Sequence, residues 1–120
     1  MGAIFRNASK IAARQHGCIT AKQLIELGVS RSAIDRWEKN GLLHREFSGV
    51  YRLGHAAPSL HAHYMAAVLA CGPGAALSGL AAAFHLGLIR RPPSLPEVSA
   101  PKDRDIRGIK TRQRKVAIRK

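Results

Sequence analysis

The sequence contains few residues of the kinds that form covalent frameworks, aromatic stacking surfaces or negatively charged sites. Of its 120 residues, two are cysteines, 5% are aromatic and seven are acidic. Cys18 and Cys71 form no CxxC pair, and two thiols do not make a disulfide framework, so a reducing cytoplasm is the expected compartment. The low aromatic content argues against a surface that stacks single-stranded bases.

A continuous apolar run long enough to cross a membrane is also missing. Residues 58–89 carry no charge, but the GPG segment at 72–74 interrupts them. The pieces on either side are about a dozen residues long, whereas a spanning helix needs about 20. The segment therefore predicts two core helices, and we expect no membrane partner.

Groups of residues that would carry catalysis or hold a metal are lacking as well. His61 and His63 resemble a metal pair, but residues two apart on a helix face different ways and no third ligand has a fitting spacing. Glu97, Asp103 and Asp105 lie near basic residues, as in a metal-dependent nuclease, yet a charged turn explains them more simply. We predict that the chain is not an enzyme and has no metal or cofactor.

Positive charge, in contrast, is abundant. The formal net charge is +13 and the isoelectric point is about 11.2. Residues 1–57 contribute +5, residues 58–89 contribute nothing and residues 90–120 contribute +8. This balance indicates a polyanionic partner, and nucleic acid is the first candidate.

The first half of the chain contains local signals for three helices. Apolar residues at helical spacing predict a helix over about residues 3–15. Thr20 with Gln23 three residues later has the spacing of a capping box, which predicts a short second helix. Ser30 is a predicted N-cap for a third helix that extends to about Asn40.

The third helix has one polar side and is followed by a hairpin signal. At 100° per residue, five polar residues fall within roughly 140° of arc, opposite Ile34 and Trp37: Arg31, Ser32, Asp35, Arg36 and Lys39. A Ser48–Gly49 link between strand-like runs predicts a two-residue turn. Three helices followed by a hairpin predict an α+β protein, mostly α, that begins with a winged helix-turn-helix.

The second half predicts a helical pair and a short β segment. One helix follows Pro58, a second lies in ALSGLAAAFHLGL with Ser78 as its cap, and residues 90–96 form a linker. EVSAP and GIKTRQRKVAIRK are predicted strands around a turn at KDRDIRG. We therefore divide the chain into a DNA-binding domain at 1–57 and the start of a second, incomplete domain at 58–120.

The winged-helix pattern assigns a role in DNA binding to individual basic residues. On the third helix, Arg31, Ser32 and Arg36 are predicted to read bases in the major groove. Predicted phosphate contacts come from Lys22, Lys39, Arg45 and Arg52. Non-specific affinity is predicted from Lys110, Arg112, Arg114 and Lys115.

Asp35 stands within this basic side of the third helix, where its charge would repel phosphate. One interpretation is that it accepts a hydrogen bond from a cytosine amino group. The other, which we favour from the sequence, is that it pairs with Arg31 or Lys39 at i,i+4 spacing.

A longer stretch, RQHGCITAKQLIELGVSRSAIDRWEKNGLLHREFSGVYRLGH, resembles the N-terminal winged-helix domain of AbiEi-type antitoxins and related regulators. Their pattern is close to GxITxxQLxxLGxSxxAIxxxxxxGxLxRxxxGVYxxG. The segment AAVLACGPGAALSGLAAAFHLGL is similar to the start of the family's second domain. The resemblance implies sequence-specific binding to double-stranded DNA, autorepression of a toxin–antitoxin operon and no required contact with the toxin.

Two further hypotheses stay open beside a transcriptional regulator of this type. The first is a truncated remnant or protein-interaction module whose basic end binds nucleic acid non-specifically. The second is the DNA-targeting part of a nuclease-like relative, since many relatives carry a nuclease-like domain. A homodimer that reads an inverted repeat would extend the main hypothesis.

Overall fold

Helices and small sheets alternate along residues 2–54 and 59–113, which are the residues described by the computed structural model. They form five helices and two three-stranded sheets, so the predicted α+β class is confirmed. By its internal contacts the chain divides into two units, Met1–Ala66 and Ala67–Lys120, so the division falls inside the fourth helix. The boundary predicted at residues 57 and 58 lies outside the described residues and stays a prediction.

The first unit contains the three predicted helices, the hairpin and one strand that was not predicted. Its elements are α1 (Gly2–Ala13), β1 (Cys18–Thr20), α2 (Ala21–Glu26), α3 (Arg31–Lys39), β2 (Leu43–Phe47), β3 (Val50–Leu53) and the first turns of α4 (Leu60–Cys71). β1 pairs antiparallel with β3, which gives the sheet order β1-β3-β2. The arrangement is compatible with a winged helix-turn-helix.

The core of this unit lies between the helices and one face of the sheet. Burial of apolar side chains in this core stabilises the fold by about 25 cal/mol per Å² of apolar surface removed from water. Trp37 of α3 packs edge-on against Phe5 of α1, with ring centroids 6.3 Å apart. The buried cluster comprises Ala8, Ala12, Ile19, Leu24, Val29, Ile34, Leu43, Tyr51 and Leu53.

The first turns of α4 cover the opposite face of the same sheet. The Cys18 thiol donates a hydrogen bond to the Ala62 carbonyl oxygen over 3.3 Å. The rings of Phe47 and His63 lie 4.9 Å apart, and both Phe47 and Val50 are buried. The hairpin is therefore packed on both faces, and the register of its two strands decides which side chains remain accessible.

The pairing of β2 with β3 contains a β-bulge. Leu43 pairs with Leu53, but Arg45 pairs with Tyr51 and Phe47 pairs with Val50, so the register shifts between Arg45 and Phe47. A bulge adds one residue to one strand and reverses which face the following side chains occupy.

The second unit contains the rest of α4, β4 (Ala76–Leu77), α5 (Gly79–His85), β5 (Glu97–Ala100) and β6 (Lys110–Gln113). The fifth helix begins after Ser78, as predicted. Ala76 and Leu77 form β4, a strand that was not predicted, which pairs antiparallel with β5. Ser78 is the N-cap, but its side chain makes no capping hydrogen bond. Glu97 Oε1 instead accepts from the Leu80 amide over 3.3 Å.

The two predicted strands after the linker are confirmed as β5 and β6, and they pair in parallel. Parallel pairing means that the connection through residues 101–109 carries the chain back to the starting end of the sheet. Residues 90–96 form neither helix nor strand, as predicted. The part of the last predicted strand beyond Gln113 lies outside the described residues.

Candidate nucleic-acid interface

The polar side of α3 is exposed to solvent along its whole length. Ile34 is 3% exposed and packs in the core, and Trp37 packs beside it. The helical spacing in the sequence thus separated the accessible side from the buried one correctly. The exposed polar and charged residues on this side are Arg31, Ser32, Asp35, Arg36 and Lys39.

Local hydrogen bonds fix where α3 begins. Ser30 is the N-cap, and its side chain accepts from the Ala33 amide over 3.1 Å. Gly28 has a φ of +98°, which lets the chain turn sharply after α2. Val29 follows it and is buried in the core. Because the turn is anchored by Val29, the N-terminal end of α3 is held in a defined position.

A capping box fixes α2 in the same way. The Thr20 side chain accepts from the Gln23 amide, and the Gln23 side chain accepts from the Thr20 amide, each over 3.0 Å. The Ala21 amide also donates to the Gly49 carbonyl over 2.8 Å, which ties α2 to the hairpin turn. Lys22, the next residue, is exposed at this junction.

Arg45 of the hairpin reaches across to α3. Its guanidinium donates two hydrogen bonds to the Glu38 carboxylate, over 3.2 Å and 3.1 Å. It also lies 5.5 Å from the centroid of the Tyr51 ring. The hydrogen bond with Glu38 raises the pKa of Arg45, and the charges of Tyr51, Glu38 and Asp35 add to this effect.

A groove of about 270 Å³ lies between α3 and the hairpin. Arg31 and Asp35 line it from the helix, and Arg45 lines it from strand β2. A guanidinium on each side gives the groove positive walls, while one carboxylate lies between them. The complete lining is Ala21, Arg31, Ile34, Asp35, Arg45, Ser48, Gly49 and Tyr51.

Arg52 does not join this groove. It pairs with the Glu46 carboxylate, and its side chain is only 14% exposed. Glu46 Oε2 also lies 3.1 Å from His63 Nδ1 of α4. Arg52 pairs across the sheet with Cys18 and His44, on the face opposite Tyr51.

The Glu46 cluster, which comprises Glu46, Arg52 and His63, was not recognised from the sequence. His63 was considered only as half of a metal pair with His61. In the structure His61 instead stacks on His16, with ring centroids 6.0 Å apart. No local pattern in the sequence indicates that both faces of the hairpin are covered. This covering leaves no exposed position for Arg52.

The predicted secondary contacts lie in the second unit. Lys110 and Arg112 are exposed and occupy alternate positions of β6, so they share one side of that strand. Thr111, between them, donates its hydroxyl to the Arg104 carbonyl. Arg114 and Lys115 lie outside the described residues.

Neither a metal-binding cluster nor a membrane-spanning helix is present in residues 2–54 and 59–113. No group of three His, Cys, Asp or Glu side chains in these ranges is placed to hold a metal ion. Of the helices described, none has the length and apolar character needed to cross a membrane. Cys18 and Cys71 are buried free thiols, and burial raises the pKa of both.

Comparison with known families supports the resemblance seen in the sequence. Residues 8–54 match the family described as transcriptional regulator, AbiEi antitoxin. The match runs from the second half of α1 through β3 and includes every predicted DNA contact of the first unit. No curated protein matches the chain. The resemblance is therefore confirmed for residues 8–54, and the family is a regulatory one.

Proposed function

We propose that this chain is a DNA-binding transcriptional regulator whose first unit acts as a winged helix-turn-helix. In this proposal α3 lies in the major groove and the β2–β3 hairpin contacts the adjoining backbone. The observation that carries it is the exposed polar side of α3, with Arg45 of the hairpin facing it across the groove. The family match over residues 8–54 supports the same reading.

The roles of the side chains follow from their position on α3. Arg31, Ser32 and Arg36 lie in the first two turns, and in helix-turn-helix proteins residues near this end of the helix contact bases. Arginine donates two hydrogen bonds to the O6 and N7 acceptors of guanine, which no other base pair presents in that pattern. Lys39 lies in the last turn and is assigned to a phosphate.

Lys22 and Arg45 complete the phosphate contacts of the first unit. Both are exposed. Arg45 lines the groove from β2, and Lys22 directly follows Ala21, which lines it from α2. Arg52 is left out of the proposed interface, because it is engaged with Glu46 on the other face of the sheet. Lys110 and Arg112 are assigned only non-specific attraction to the DNA backbone.

The experiment is a titration of the full chain with labelled DNA from the region upstream of its own gene, at several salt concentrations. Arg36→Ala should weaken binding by about 1–3 kcal/mol and relax the preference at one base pair. A Lys110→Gln/Arg112→Gln double variant is the control and should lower affinity for all sequences alike. If the double variant abolishes binding while Arg36→Ala changes nothing, the non-specific alternative is correct.

Autorepression, dimerisation and the relation to a toxin are further parts of the proposal. A reporter fused to the upstream region should be repressed by the chain, and less so by Arg36→Ala. Light scattering with an inverted-repeat duplex should show two chains per duplex. Repression should not require the toxin, and the proposal assigns the chain no catalytic step and a cytoplasmic location.

A further inference from the structure

Asp35 is the one carboxylate of α3 that lies in the groove without an ion pair to a neighbour on its own helix. It is exposed one turn after Arg31 and lines the groove opposite Arg45. Within the described residues, no salt bridge joins it to Arg31 or to Lys39. The pairing favoured from the sequence is therefore not what the structure shows.

The second carboxylate of the same helix behaves differently. Glu38 accepts both hydrogen bonds from Arg45, so its charge is compensated by the hairpin. Asp35 contributes only weakly to the electrostatics of Arg45, as the last of the causes that raise its pKa. The two carboxylates are thus distinct: Glu38 holds the hairpin to the helix, whereas Asp35 lines the groove and forms no salt bridge with Arg31 or Lys39.

A free carboxylate on a DNA-facing helix weakens binding to phosphate, because the two charges repel each other over the few ångströms of the interface. It accepts hydrogen bonds and donates none when ionised. In the major groove it can therefore bind an exposed amino group, but it is repelled by the O6 and N7 acceptors of guanine and the O4 acceptor of thymine. Such a group selects between bases while it lowers affinity for DNA in general.

We propose that Asp35 is a specificity-determining residue that accepts a hydrogen bond from the N4 amino group of a cytosine in the major groove. This inference rests on the proposed function, since it requires α3 to lie in that groove. Arg31, one turn earlier on the same side, then donates to a guanine in the same or the adjacent base pair. Asp35 thus accepts a hydrogen bond from one base, while Arg31 donates hydrogen bonds to another base in the same or the adjacent pair.

The test is selection of binding sites from a pool of random double-stranded DNA by the full chain and by its variants. The wild-type site should contain a cytosine whose preference depends on residue 35. Asp35→Asn should change that position from cytosine to adenine, because an amide binds the adenine N6 and N7 atoms together. Asp35→Ala should lose roughly tenfold in discrimination there and gain affinity for unrelated DNA.

Glu26→Gln is the matched control, since Glu26 is exposed on α2 outside the groove lining and the variant changes the net charge by the same amount. It should leave the selected site unchanged. Trp37 fluorescence on heating verifies that each variant is folded. If Asp35→Asn selects the same site as the wild type, Asp35 does not read a base, although the proposed function stands. If the wild type selects no site at all, the proposed function and this inference are both wrong.

Discussion

The guanidinium of Arg45 donates two hydrogen bonds to the carboxylate of Glu38 and so joins the hairpin to the exposed helix α3. The side chains are 52% and 32% exposed, so water still reaches the pair. An ion pair of this exposure contributes at most about 1 kcal/mol to stability. The pair matters more for the charge of the groove, because Glu38 compensates a cation that lines it.

Arg45 and Arg52 are predicted to have opposite roles, although both are arginines of one hairpin. Arg45→Gln should weaken DNA binding equally on all sequences and leave stability nearly unchanged. It should also reduce the slope of log affinity against log salt concentration by about one. Arg52→Gln should lower the free energy of unfolding by about 1–3 kcal/mol, because Glu46 loses a charged donor at a half-buried site. Urea denaturation and DNA titration on both variants measure the two effects.

One result would contradict the roles predicted for Arg45 and Arg52. If Arg52→Gln reduces the salt dependence of DNA binding while Arg45→Gln does not, the hairpin presents its other face to DNA. The groove beside α3 would then not be part of the interface.

Glu38 is predicted to restrain DNA binding in the free protein. A phosphate that binds Arg45 must compete with the Glu38 carboxylate, so Glu38→Gln should raise affinity about two- to fivefold, equivalent to at most about 1 kcal/mol. Fluorescence anisotropy near 0.1 M salt measures the change, with Glu26→Gln as the control for net charge. A fall in affinity instead would mean that Glu38 holds Arg45 in its binding position.

The helices and their ends could be predicted because their signals are local. Thr20 and Gln23 form their capping box within one turn of the chain, and Ser30 caps α3 through a residue three positions away. The exposed side of α3 follows from helical geometry once Ile34 is buried. None of these interpretations depends on a distant partner.

The hairpin shows where local signals end. A regular two-residue turn at Ser48–Gly49 would pair Arg45 with Arg52 and place both arginines on one face. The bulge shifts the register so that Arg45 pairs with Tyr51, which moves Arg52 to the other face. No residue of the two strands indicates the bulge. The helix that covers Arg52 is α4, which begins only at Leu60, beyond the hairpin.

Thr20 is predicted to contribute to stability through its side-chain oxygen. Thr20→Ala removes the capping box and should lower the free energy of unfolding by about 1 kcal/mol. Ser32→Ala is the control, since Ser32 lies in the first turn of the exposed α3 side, where alanine is the better helix former. Urea denaturation followed by Trp37 fluorescence should show a loss for the first variant and no loss for the second.

Gly49 is predicted to be required for its backbone conformation rather than for space. Its φ is +75°, and an added Cβ would meet no atom within 4 Å. Gly49→Val should therefore lower the free energy of unfolding by about 1–2 kcal/mol through backbone strain, whereas Gly49→Asn should cost less because asparagine tolerates this region. Equal losses for the two variants would show that side-chain volume matters instead.

Cys18 is predicted to make the stability of the first unit fall at high pH. Burial, and then the charge of Glu46, raise the pKa of this thiol from 9.0 to about 11, while Arg52 acts in the opposite direction. Below pH 9 the thiol is protonated in both the folded and the unfolded chain, so its contribution to stability is constant. Between these values the unfolded chain releases the proton and the folded chain keeps it, so stability falls as pH rises.

The size of this effect is at most about 1.4 kcal/mol per pH unit for a single proton. Other groups titrate in the same range, so the quantity to measure is the difference between the wild type and Cys18→Ala. Urea denaturation followed by Trp37 fluorescence at several pH values from 8 to 11 gives both curves. The difference should be flat up to about pH 9 and then shrink as the wild type loses the contribution of the protonated thiol. A constant difference across the range would mean that the folded thiol ionises as readily as the unfolded one, which the burial of Cys18 against Ala62 opposes.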